Sequence, residues 1–245
     1  MPIIELRHIH QSFGASKILN DISLTISRGG FTSILGPTGS GKTSLFRLIA
    51  GLDEIDSGEV YIDQRLATRD SQILLKPHKR NVGLVFQDIA LWPHLSIYKN
   101  LEFPLKSLKY PKDKIVKRIH EMIDLMNLKG LDKRYPHQLS GGQQQLAGIA
   151  RALVADPDII LMDEPLASLD YHLKKDLRKK IKRIHETSKK TFVYITHDQE
   201  EAFELSDEII IIDEGRLIEK GKPEKLLTDP AQDFTRYYLN PPSHH

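Results

Sequence analysis

The sequence contains no cysteine, a single tryptophan and no long apolar run. Without cysteine the chain can form neither disulfide bonds nor thiolate metal sites, which is typical of a reducing compartment. No window approaches the roughly 18 apolar residues that a membrane-spanning helix needs. The first thirty residues alternate polar and apolar side chains instead of forming the apolar core of a signal peptide. These absences predict a soluble cytoplasmic protein.

An excess of charge of either sign is also missing. The chain has 35 Lys and Arg against 33 Asp and Glu, and its net charge is +2. A near-neutral, mixed surface gives no electrostatic reason to expect nucleic acid as a partner. With 245 residues the chain is long enough for one large α/β domain, with or without an inserted lobe.

Two kinds of apolar pattern predict a mixed fold. Segments 3–13 and 18–26 alternate as half-buried antiparallel strands do, with breaks predicted at Gly14 and at Asn20-Asp21. Later segments are short continuous apolar runs, which are typical of parallel strands covered on both faces. These runs are 31–35, 82–86, 159–162, 192–196 and 209–212. We therefore predict an α/β fold with a mainly parallel central sheet and an N-terminal antiparallel β subdomain.

Helical patterns lie between these strands. The clearest covers residues 171–188, with one apolar and one basic face. The segment 90–155 has no good strand pattern, and it contains an amphipathic helix predicted over 112–128, which Gly130 ends, and another that begins near Gly142. This segment predicts a helical subdomain inserted between two strands of the sheet.

The predicted domain organisation is simple. One compact domain covers 1–241, and its core comprises 1–89 and 156–241, with the helical subdomain at 90–155. Residues 242–245 are treated as a tail, for which a purification-tag remnant is one interpretation.

The stretch GPTGSGKT at 36–43 matches the phosphate-loop motif G-x-x-x-x-G-K-[ST] at every defined position. It follows a predicted strand and precedes a helical pattern, so a chance glycine-rich turn is a minor alternative. Glycines let consecutive backbone N–H groups point at phosphate oxygens, and a helix N-terminus favours negative charge. Lys42 is the predicted cation for the β and γ phosphates, and the Thr43 hydroxyl is a predicted magnesium ligand. The predicted phosphate-binding residues are Gly36, Pro37, Thr38, Gly39, Ser40, Gly41, Lys42, Thr43 and Ser44.

Two carboxylates follow the apolar run 159–162. A magnesium nucleotide site needs a carboxylate at the end of a neighbouring buried strand, where Asp163 stands. Asp163 is predicted to hold magnesium through water, and Glu164 to polarise the attacking water. The alternative is that Asp163 and Glu164 only cap a helix or belong to a loop. The complete phosphate loop in the same chain makes this the minority interpretation.

A second glycine-containing stretch, LSGGQ at 139–143, also opens a helical run. It lacks the lysine and the long glycine spacing needed to surround a triphosphate. Ser140 and the N–H groups of Gly141 and Gly142 can nevertheless cap one phosphate at a helix start. An ordinary capped helix is the alternative, and it explains Ser140 but leaves the paired glycines unused.

The motifs occur in the order found in ATP-binding cassette (ABC) ATPases, together with VFQD at 85–88, ASLD at 167–170 and ITHD at 195–198. The chain resembles this family over about residues 3–229. The resemblance implies a P-loop NTPase (RecA-like) core with an N-terminal antiparallel β subdomain and an inserted helical subdomain. It also implies ATP and Mg²⁺ as cofactors and ATP hydrolysis as the reaction.

The resemblance implies further roles, each with a simpler structural alternative. Phe13 would stack on adenine instead of being a core aromatic, and Gln87 would touch magnesium or water and sense a transmembrane partner instead of being an ordinary loop residue. His197 would contact the γ-phosphate, although an isolated histidine is more often structural. Asp170 would join two subunits, in addition to capping the helix that follows. The implied catalytic residues are Lys42, Gln87, Glu164 and His197.

In this family the signature LSGGQ closes over the nucleotide held by a second subunit, so two chains arranged head to tail enclose two ATP molecules. Residues Ser140, Gly141, Gly142 and Gln143 are therefore implied nucleotide contacts in trans. The segments most similar to bacterial solute importers are LWPHLSIYKNLEFPL and THDQEEAFELSDEIIIIDEGRLIEKGKPEKLL. The implied partners are transmembrane permease subunits, a second ATPase subunit and, through the permease, a solute-binding protein, at the inner face of the cell membrane.

The sequence departs from the importer pattern in three places. Leu146 stands where relatives commonly have arginine, and Ala167-Ser168 inverts the commoner order. These changes bear on local packing and on coupling of the signature helix more than on catalysis. Many importer subunits also carry a C-terminal regulatory domain after the cassette; either this transporter class lacks it or the sequence has been shortened.

Two other function classes remain as alternatives. A soluble ABC ATPase acting on DNA or ribosomes usually shows two cassettes, a coiled-coil insertion or zinc-binding cysteines, which this sequence lacks. A nucleotide-gated module without turnover would be expected to have lost Glu164 or His197. Importer and exporter remain open, as does the cargo.

Trp92 lies just after Gln87, where Pro93 fixes the chain and Ser96 can cap a short helix. The apolar residues around it exceed what one short helix can hide, so some should remain exposed for a helix of the permease. The alternative is that Trp92 belongs to the core of the helical subdomain.

Overall fold

The computed structural model describes residues 1–240. Its strands are β1 (Pro2–Phe13), β2 (Ser16–Ser27), β3 (Phe31–Leu35), β4 (Ser57–Ile62), β5 (Arg65–Arg69), β6 (Gln72–Ile73), β7 (Val82–Val85), β8 (Ile159–Asp163), β9 (Thr191–Thr196), β10 (Glu208–Asp213) and β11 (Arg216–Gly221). Its α-helices are α1 (Lys42–Ala50), α2 (Ile97–Ser107), α3 (Lys112–Leu125), α4 (Gly141–Leu153), α5 (Tyr171–Ser188), α6 (Gln199–Leu205), α7 (Pro223–Thr228) and α8 (Asp233–Leu239).

The strands form two sheets. The first is antiparallel, in the order β2-β1-β4-β5-β6. The second has the order β11-β10-β3-β9-β8-β7 and is parallel except for β11. The continuous apolar runs form the five parallel strands, because both faces of this sheet are covered. The predicted α/β class, with a mainly parallel sheet and an N-terminal antiparallel sheet, is confirmed.

The break predicted at Asn20-Asp21 is wrong. β2 continues through these residues, and the register with β1 shifts there. Asp21 has φ 58° and its carboxylate lies 2.9 Å from the ring Nδ1 of His8, which has φ 49°. Asp and His tolerate the left-handed region better than most residues, so the chain makes a bulge in the ladder instead of a turn.

Residues 90–155 contain three α-helices and no strand. Ser96 accepts a hydrogen bond from the Lys99 N–H at 3.3 Å, which confirms the predicted cap of α2. The predicted end of α3 at residue 128 is three residues too late. Asn127 adopts φ 55°, and the Leu128 N–H then bonds back to the helix, so asparagine ends the helix before Gly130 does.

The central sheet separates two hydrophobic clusters, because alternate side chains of a strand point to opposite faces. On one face, Ile159 and Leu161 of β8 pack with α1 and the antiparallel sheet. On the other, Ile160 and Met162 pack with α2, α3, α4 and α5. The helix that follows the phosphate loop and the helix that carries LSGGQ therefore lie on opposite faces of the sheet.

No helix within residues 1–240 combines the length and the apolar character needed to cross a membrane. The predicted tail at 242–245 lies outside the described residues. The division into a core and an inserted subdomain stays a prediction.

Candidate active site

The phosphate loop connects the end of β3 to α1. Gly36 has no room for a side chain, since a Cβ there would lie 2.1 Å from the carbonyl oxygen of Ile212. Gly41, which precedes α1, has φ 99°, a conformation that residues with a Cβ rarely adopt. The Ser40 hydroxyl is buried and has no hydrogen-bond partner among the described residues. The other loop residues are exposed at Thr38, Gly39 and Thr43 and half-buried at Pro37 and Ser44.

Lys42 is the first residue of α1 and is buried. Its Nζ atom donates hydrogen bonds to the carbonyl oxygens of Gly36 at 2.8 Å and Pro37 at 2.7 Å. Burial lowers the pKa of Lys42, while the negative charges of Glu164 and Asp163 oppose that shift. The ammonium group of Lys42 is thus hydrogen-bonded to the backbone of the phosphate loop, and it lies within the electrostatic influence of two carboxylates.

Asp163 ends β8 and accepts a hydrogen bond from the Thr43 hydroxyl, with Oγ1 and Oδ1 3.4 Å apart. Burial raises the pKa of Asp163, and the Thr43 contact partly offsets that effect. Hydroxyl and carboxylate oxygens suit Mg²⁺, which usually keeps water and phosphate oxygens as its remaining ligands. Within residues 1–240, no group of three or more His, Cys, Asp and Glu side chains could hold a metal ion alone. The residues present therefore fit an ion that a bound phosphate helps to coordinate.

Glu164 and His197 meet at the ends of two adjacent strands, β8 and β9. The ring Nδ1 of His197 lies 3.0 Å from Oε2 of Glu164. Glu164 has φ 44°, and its N–H donates to the Ile195 carbonyl oxygen at 2.9 Å. A left-handed conformation costs a residue with a side chain about 1–2 kcal/mol. The surrounding ladder holds this strained residue so that its carboxylate points out of the strand end.

Phe13 and Gln87 are placed at the margins of this group. Phe13 ends β1 and is 59% exposed, as a ring available for stacking would be. Gln87 is exposed two residues beyond β7, whose Val85 pairs with Met162, the residue before Asp163. The hydrogen bonds described above pair Thr43 with Asp163 and Glu164 with His197, and the charges of both carboxylates act on Lys42. None of these interactions includes Phe13 or Gln87.

Ser140 caps α4 as predicted. Its Oγ accepts from the Gln143 N–H at 3.4 Å, and the Gln143 side chain accepts from the Ser140 N–H at 3.1 Å. This reciprocal pair satisfies two N–H groups at the helix start. Ser140 and Gly141 are exposed, so the capped end faces outward.

The claim that an ordinary capped helix leaves both glycines unused is wrong. A Cβ at Gly142 would lie 2.8 Å from both methyl carbons of Leu173, so the glycine lets this side chain of α5 lie directly against α4. At Gly141 the nearest atom is a methyl of Leu169 at 3.5 Å, which is ordinary contact. Packing therefore accounts for Gly142, and only Gly141 remains without a structural reason.

The structure does not bring LSGGQ to the phosphate loop of the same chain. Lys42 begins a helix that packs on the face of the sheet that carries Leu161, whereas Ser140 caps a helix on the face that carries Met162. Asp170 caps α5 on this second face, with its carboxylate accepting from the Leu173 N–H at 3.0 Å. That contact leaves Asp170 exposed, so capping and a subunit contact are compatible.

The residues that depart from the importer pattern lie in environments that match their polarity. Leu146 is 6% exposed and belongs to the hydrophobic cluster of the helical segment, so an apolar residue fits where relatives commonly have arginine. Ala167 is half-buried and Ser168 is exposed, which matches the polarity of each residue.

Sequence reasoning missed a strained turn beside the site. Ile89 and Ala90 have φ 58° and 51°, although a left-handed conformation is rare for any residue with a Cβ and more so for a β-branched one. The guanidinium of Arg151, in α4, donates to the Ala90 carbonyl oxygen at 2.6 Å and to that of Ile89 at 3.2 Å. It also lies 4.7 Å from the ring centre of Trp92. No motif in the sequence indicated this role for Arg151.

A groove of about 520 Å³ lies beside this turn, between β7 and the helical segment. Trp92 is half-buried there, with its ring 4.5 Å from the exposed ring of Phe103. The lining is mainly apolar, with Arg151 and His78 as its basic residues. The groove lining includes Phe86 and Ala90, on either side of Gln87, and no residue of the phosphate loop.

Comparison with known proteins places this geometry in a family. The family model described as "ABC transporter" matches residues 19–167, which is more than half of the chain. The chain is 42% identical over 238 residues to the spermidine/putrescine import ATP-binding protein PotA of Haemophilus influenzae, covering 97% of this chain and 63% of that protein. It is 40% identical to the sulfate/thiosulfate import ATP-binding protein CysA of Synechococcus elongatus, covering 97% of this chain and 68% of that protein. The chain thus spans less than two thirds of the PotA relative.

Solved structures agree in fold. The ATP-binding cassette MJ0796, a dimer bound to ADP and Pi, matches 90% of this chain and 98% of its own length with a TM-score of 0.78 and 34% identity. CbiO1 from Clostridium perfringens, part of the transporter complex cbiONQ, matches 92% of this chain and 90% of its own length with a TM-score of 0.83 and 28% identity. With its family match, its import relatives and these structural neighbours, the chain belongs to the ABC transporter family.

Proposed function

We propose that this chain is the ATP-hydrolysing cassette of an ABC importer. The observation that carries the proposal is the contact between His197 and Glu164 beside Lys42 and Asp163, at the adjacent ends of three parallel strands. An ammonium at a helix start, with two carboxylates and an imidazole at the neighbouring strand ends, can bind phosphates, help to hold Mg²⁺ and polarise water, as phosphoryl transfer to water needs.

The residues divide the chemistry among them. The loop N–H groups and Lys42 bind the phosphates, and Phe13 stacks on the base. Thr43 and Asp163 would hold Mg²⁺, which would neutralise phosphate charge, and Gln87 is the proposed contact to the ion or to the attacking water. Glu164 accepts the proton of that water, and His197 orients Glu164 and hydrogen-bonds to the γ-phosphate.

We further propose that two chains share each site. Lys42 and Ser140 belong to helices on opposite faces of one sheet, so a Ser140 contact to phosphate must come from a second copy or a paralogue. The signature residues Ser140, Gly141, Gly142 and Gln143, with Asp170, would then complete the partner's site. The dimeric cassette MJ0796 supports this arrangement. Each chain carries one phosphate loop and one LSGGQ signature, so closure of the dimer completes two nucleotide sites at once.

The proposed membrane partner is a permease whose cytoplasmic helix binds the groove at Trp92. The groove is apolar, half-open and next to Gln87, so a bound helix can influence the site. We propose that the cassette thereby lies at the cytoplasmic face of the membrane, bound through the permease. We propose one cassette domain over 1–241, with residues 90–155 as the helical subdomain that carries both the groove and the signature.

The cargo is proposed to be selected by the permease and its solute-binding protein. The relatives at 42% and 40% identity are named for import of polyamines and of sulfate, which carry opposite charges. Nearly equal similarity to both indicates that the cassette itself does not recognise the transported solute. The alternative of a soluble ABC ATPase acting on nucleic acid or ribosomes gains no support from the relatives reported above.

The direct test is ATP hydrolysis by the purified chain with Mg²⁺. We expect phosphate release from the wild type and loss of both hydrolysis and tight nucleotide binding in Lys42→Ala, because the phosphates lose their fixed cation. Arg47→Ala, an exposed change on the same helix, is the control and should keep activity. A wild-type chain that binds ATP without releasing phosphate would indicate a nucleotide-gated module instead.

Docking is tested separately with Trp92, the only tryptophan. We expect red-shifted, acrylamide-quenchable emission that becomes protected when the co-purified permease is added. Leu108→Glu, in the groove, should abolish the protection, whereas Leu74→Glu outside it should not, although both leucines are 53% exposed. Blue-shifted, unquenchable emission from the free chain would place Trp92 in the core and move the docking surface elsewhere.

A further inference from the structure

Gln87 sits in a turn whose two ends are held by different parts of the molecule. The N-terminal end is β7, which is paired with β8 in the central sheet. The Ile89 N–H then donates to the Phe86 carbonyl oxygen at 3.0 Å, which closes the turn around Gln87. Beyond it, Ile89 and Ala90 are both left-handed. Two consecutive strained residues persist only where neighbouring groups hold them.

The holding groups belong to α4. A Cβ at Gly148 would lie 2.7 Å from a methyl carbon of Ile89, so the glycine makes room for that side chain. Three residues later on the same helix, Arg151 donates to the carbonyl oxygens of Ile89 and Ala90. Residues three apart share one face of a helix, so α4 contacts the turn twice with one surface.

The same guanidinium reaches the groove. It lies over the Trp92 ring at 4.7 Å, within the range of a cation–π contact. Trp92 is in turn fixed by Asn100, which is fully buried and accepts from the Trp92 N–H at 2.9 Å. Arg151 therefore touches the strained turn on one side and the docking surface on the other.

We propose that Arg151 is a positioning residue for Gln87. Arg151 connects the turn that contains Gln87, residues 86–90, to the signature helix α4 and to the ring of Trp92. Its planar guanidinium, a fork of N–H donors, bonds two carbonyl oxygens at once. These hydrogen bonds hold Ile89 and Ala90 in the left-handed conformation, which is unfavourable for both residues. Because α4 has Ser140 as its N-cap and Arg151 near its C-terminal end, a shift of the signature helix moves the turn with it. A partner on Trp92 acts on the same guanidinium.

This inference rests on the proposed ATPase function, and the test separates the two. Arg151→Met removes the charge and the fork but keeps the length of the side chain. We expect kcat to fall about tenfold or more while KM for ATP stays within about twofold, since the phosphate loop is untouched. Arg151→Lys keeps the charge without the fork, and its kcat should lie between those of the wild type and Arg151→Met.

The decisive comparison is a double-mutant cycle with Gln87→Ala. If Arg151 acts through Gln87, Arg151→Met and Arg151→Lys should cost little further activity in the Gln87→Ala background. The matched control is Arg118→Met, which also removes an arginine bonded to carbonyl oxygens near the end of α4, those of Val154 and Leu153. Its effect should be the same in both backgrounds. An equal loss from Arg151→Met or Arg151→Lys in both backgrounds would overturn the proposal.

Trp92 provides a readout that needs no turnover. Acrylamide should quench Trp92 more strongly in Arg151→Met than in the wild type, and Arg118→Met should leave the quenching unchanged. Unchanged quenching in Arg151→Met would overturn the contact, whether or not the chain hydrolyses ATP. If the wild type releases no phosphate, the proposed ATPase function is wrong, and so is the positioning role of Arg151 toward Gln87. Altered quenching in Arg151→Met would then still support the contact between Arg151 and Trp92.

Discussion

The ring of His197 and the carboxylate of Glu164 are 3.0 Å apart, at the ends of strands that lie side by side in the central sheet. Because parallel strands end at one edge of a sheet, residues 33 positions apart in sequence reach one point in space. The imidazole can hold the carboxylate in the direction needed to take a proton from water. This pair is the part of the site whose geometry bears most directly on the proposed catalysis.

Glu164→Gln should bind ATP normally and hydrolyse it at least about a hundredfold more slowly, because the amide cannot accept the proton of the attacking water. Phosphate release and nucleotide binding measure the two effects separately, and size-exclusion chromatography should show a closed dimer that accumulates with ATP. Turnover at the wild-type rate would remove Glu164 from the mechanism.

The backbone of Glu164 allows a prediction on stability. At φ 44° a Cβ is unfavourable, so Glu164→Gly should be more stable than Glu164→Ala by about 1 kcal/mol. Exposed Lys175, inside α5, is the matched control, because there alanine should be the more stable by about 1 kcal/mol. Urea unfolding of the four variants measures both differences. The same order at both positions would show that Glu164 is not strained.

The buried carboxylate of Asp163 predicts a pH effect. Burial raises its folded-state pKa above the ordinary value of 3.8, so the folded chain binds more protons than the unfolded chain between these two values. Its contribution therefore destabilises the metal-free fold progressively as pH rises through that window. Asp163→Asn should remove this slope in urea unfolding and also remove the stabilisation that Mg²⁺ with ATP gives. Asp176→Asn, at an exposed position, controls for the loss of one negative charge; an unchanged slope in Asp163→Asn would contradict the assignment.

Packing at the start of α4 distinguishes its two glycines. Gly142→Ala should be less stable than Gly141→Ala by about 1 kcal/mol, because its new methyl must displace the half-buried side chain of Leu173. Gly141→Ala has ordinary contact distances and should change the free energy of unfolding by less. Adding Leu173→Ala should lessen the penalty of Gly142→Ala in a double-mutant cycle. Equal effects of the two glycine changes would show that Leu173 does not limit the space.

The sequence was most informative where both faces of an element are buried or where a motif fixes the backbone. The runs that form β3 and β8, and the loop that joins β3 to α1, were located correctly, because burial on both faces and the glycine spacing of the phosphate-loop motif each leave few residue choices. The antiparallel strands β4 to β6 were missed, since they are short and the longest apolar run among them is the three residues Val60 to Ile62. At Asp21 a bulge replaced the expected break, which only the pairing with β1 decides.

The site was predictable where one short motif supplies the group, and less so where distant segments meet. Lys42, Asp163 and Glu164 follow from local patterns at strand ends. The need for glycine at 142 depends on Leu173, and the turn at Ile89 depends on Arg151; both relationships join segments that no sequence spacing connects. Tertiary contacts of this kind can be found only in the folded chain.

The central claim is that Lys42 of one chain and Ser140 of another form one site. Ser140→Arg should lose hydrolysis while its monomer still binds ATP, because the bulky cation obstructs only the partner's phosphate, and Lys42→Ala should lose both. The measurement is phosphate release by an equal mixture of these two inactive variants. We predict a return to about a quarter of the wild-type rate, because half of randomly paired dimers are mixed and each mixed dimer holds one intact site. A mixture as inactive as its components, with monomer binding equally lost in both variants, would show that the two motifs serve one site within a chain.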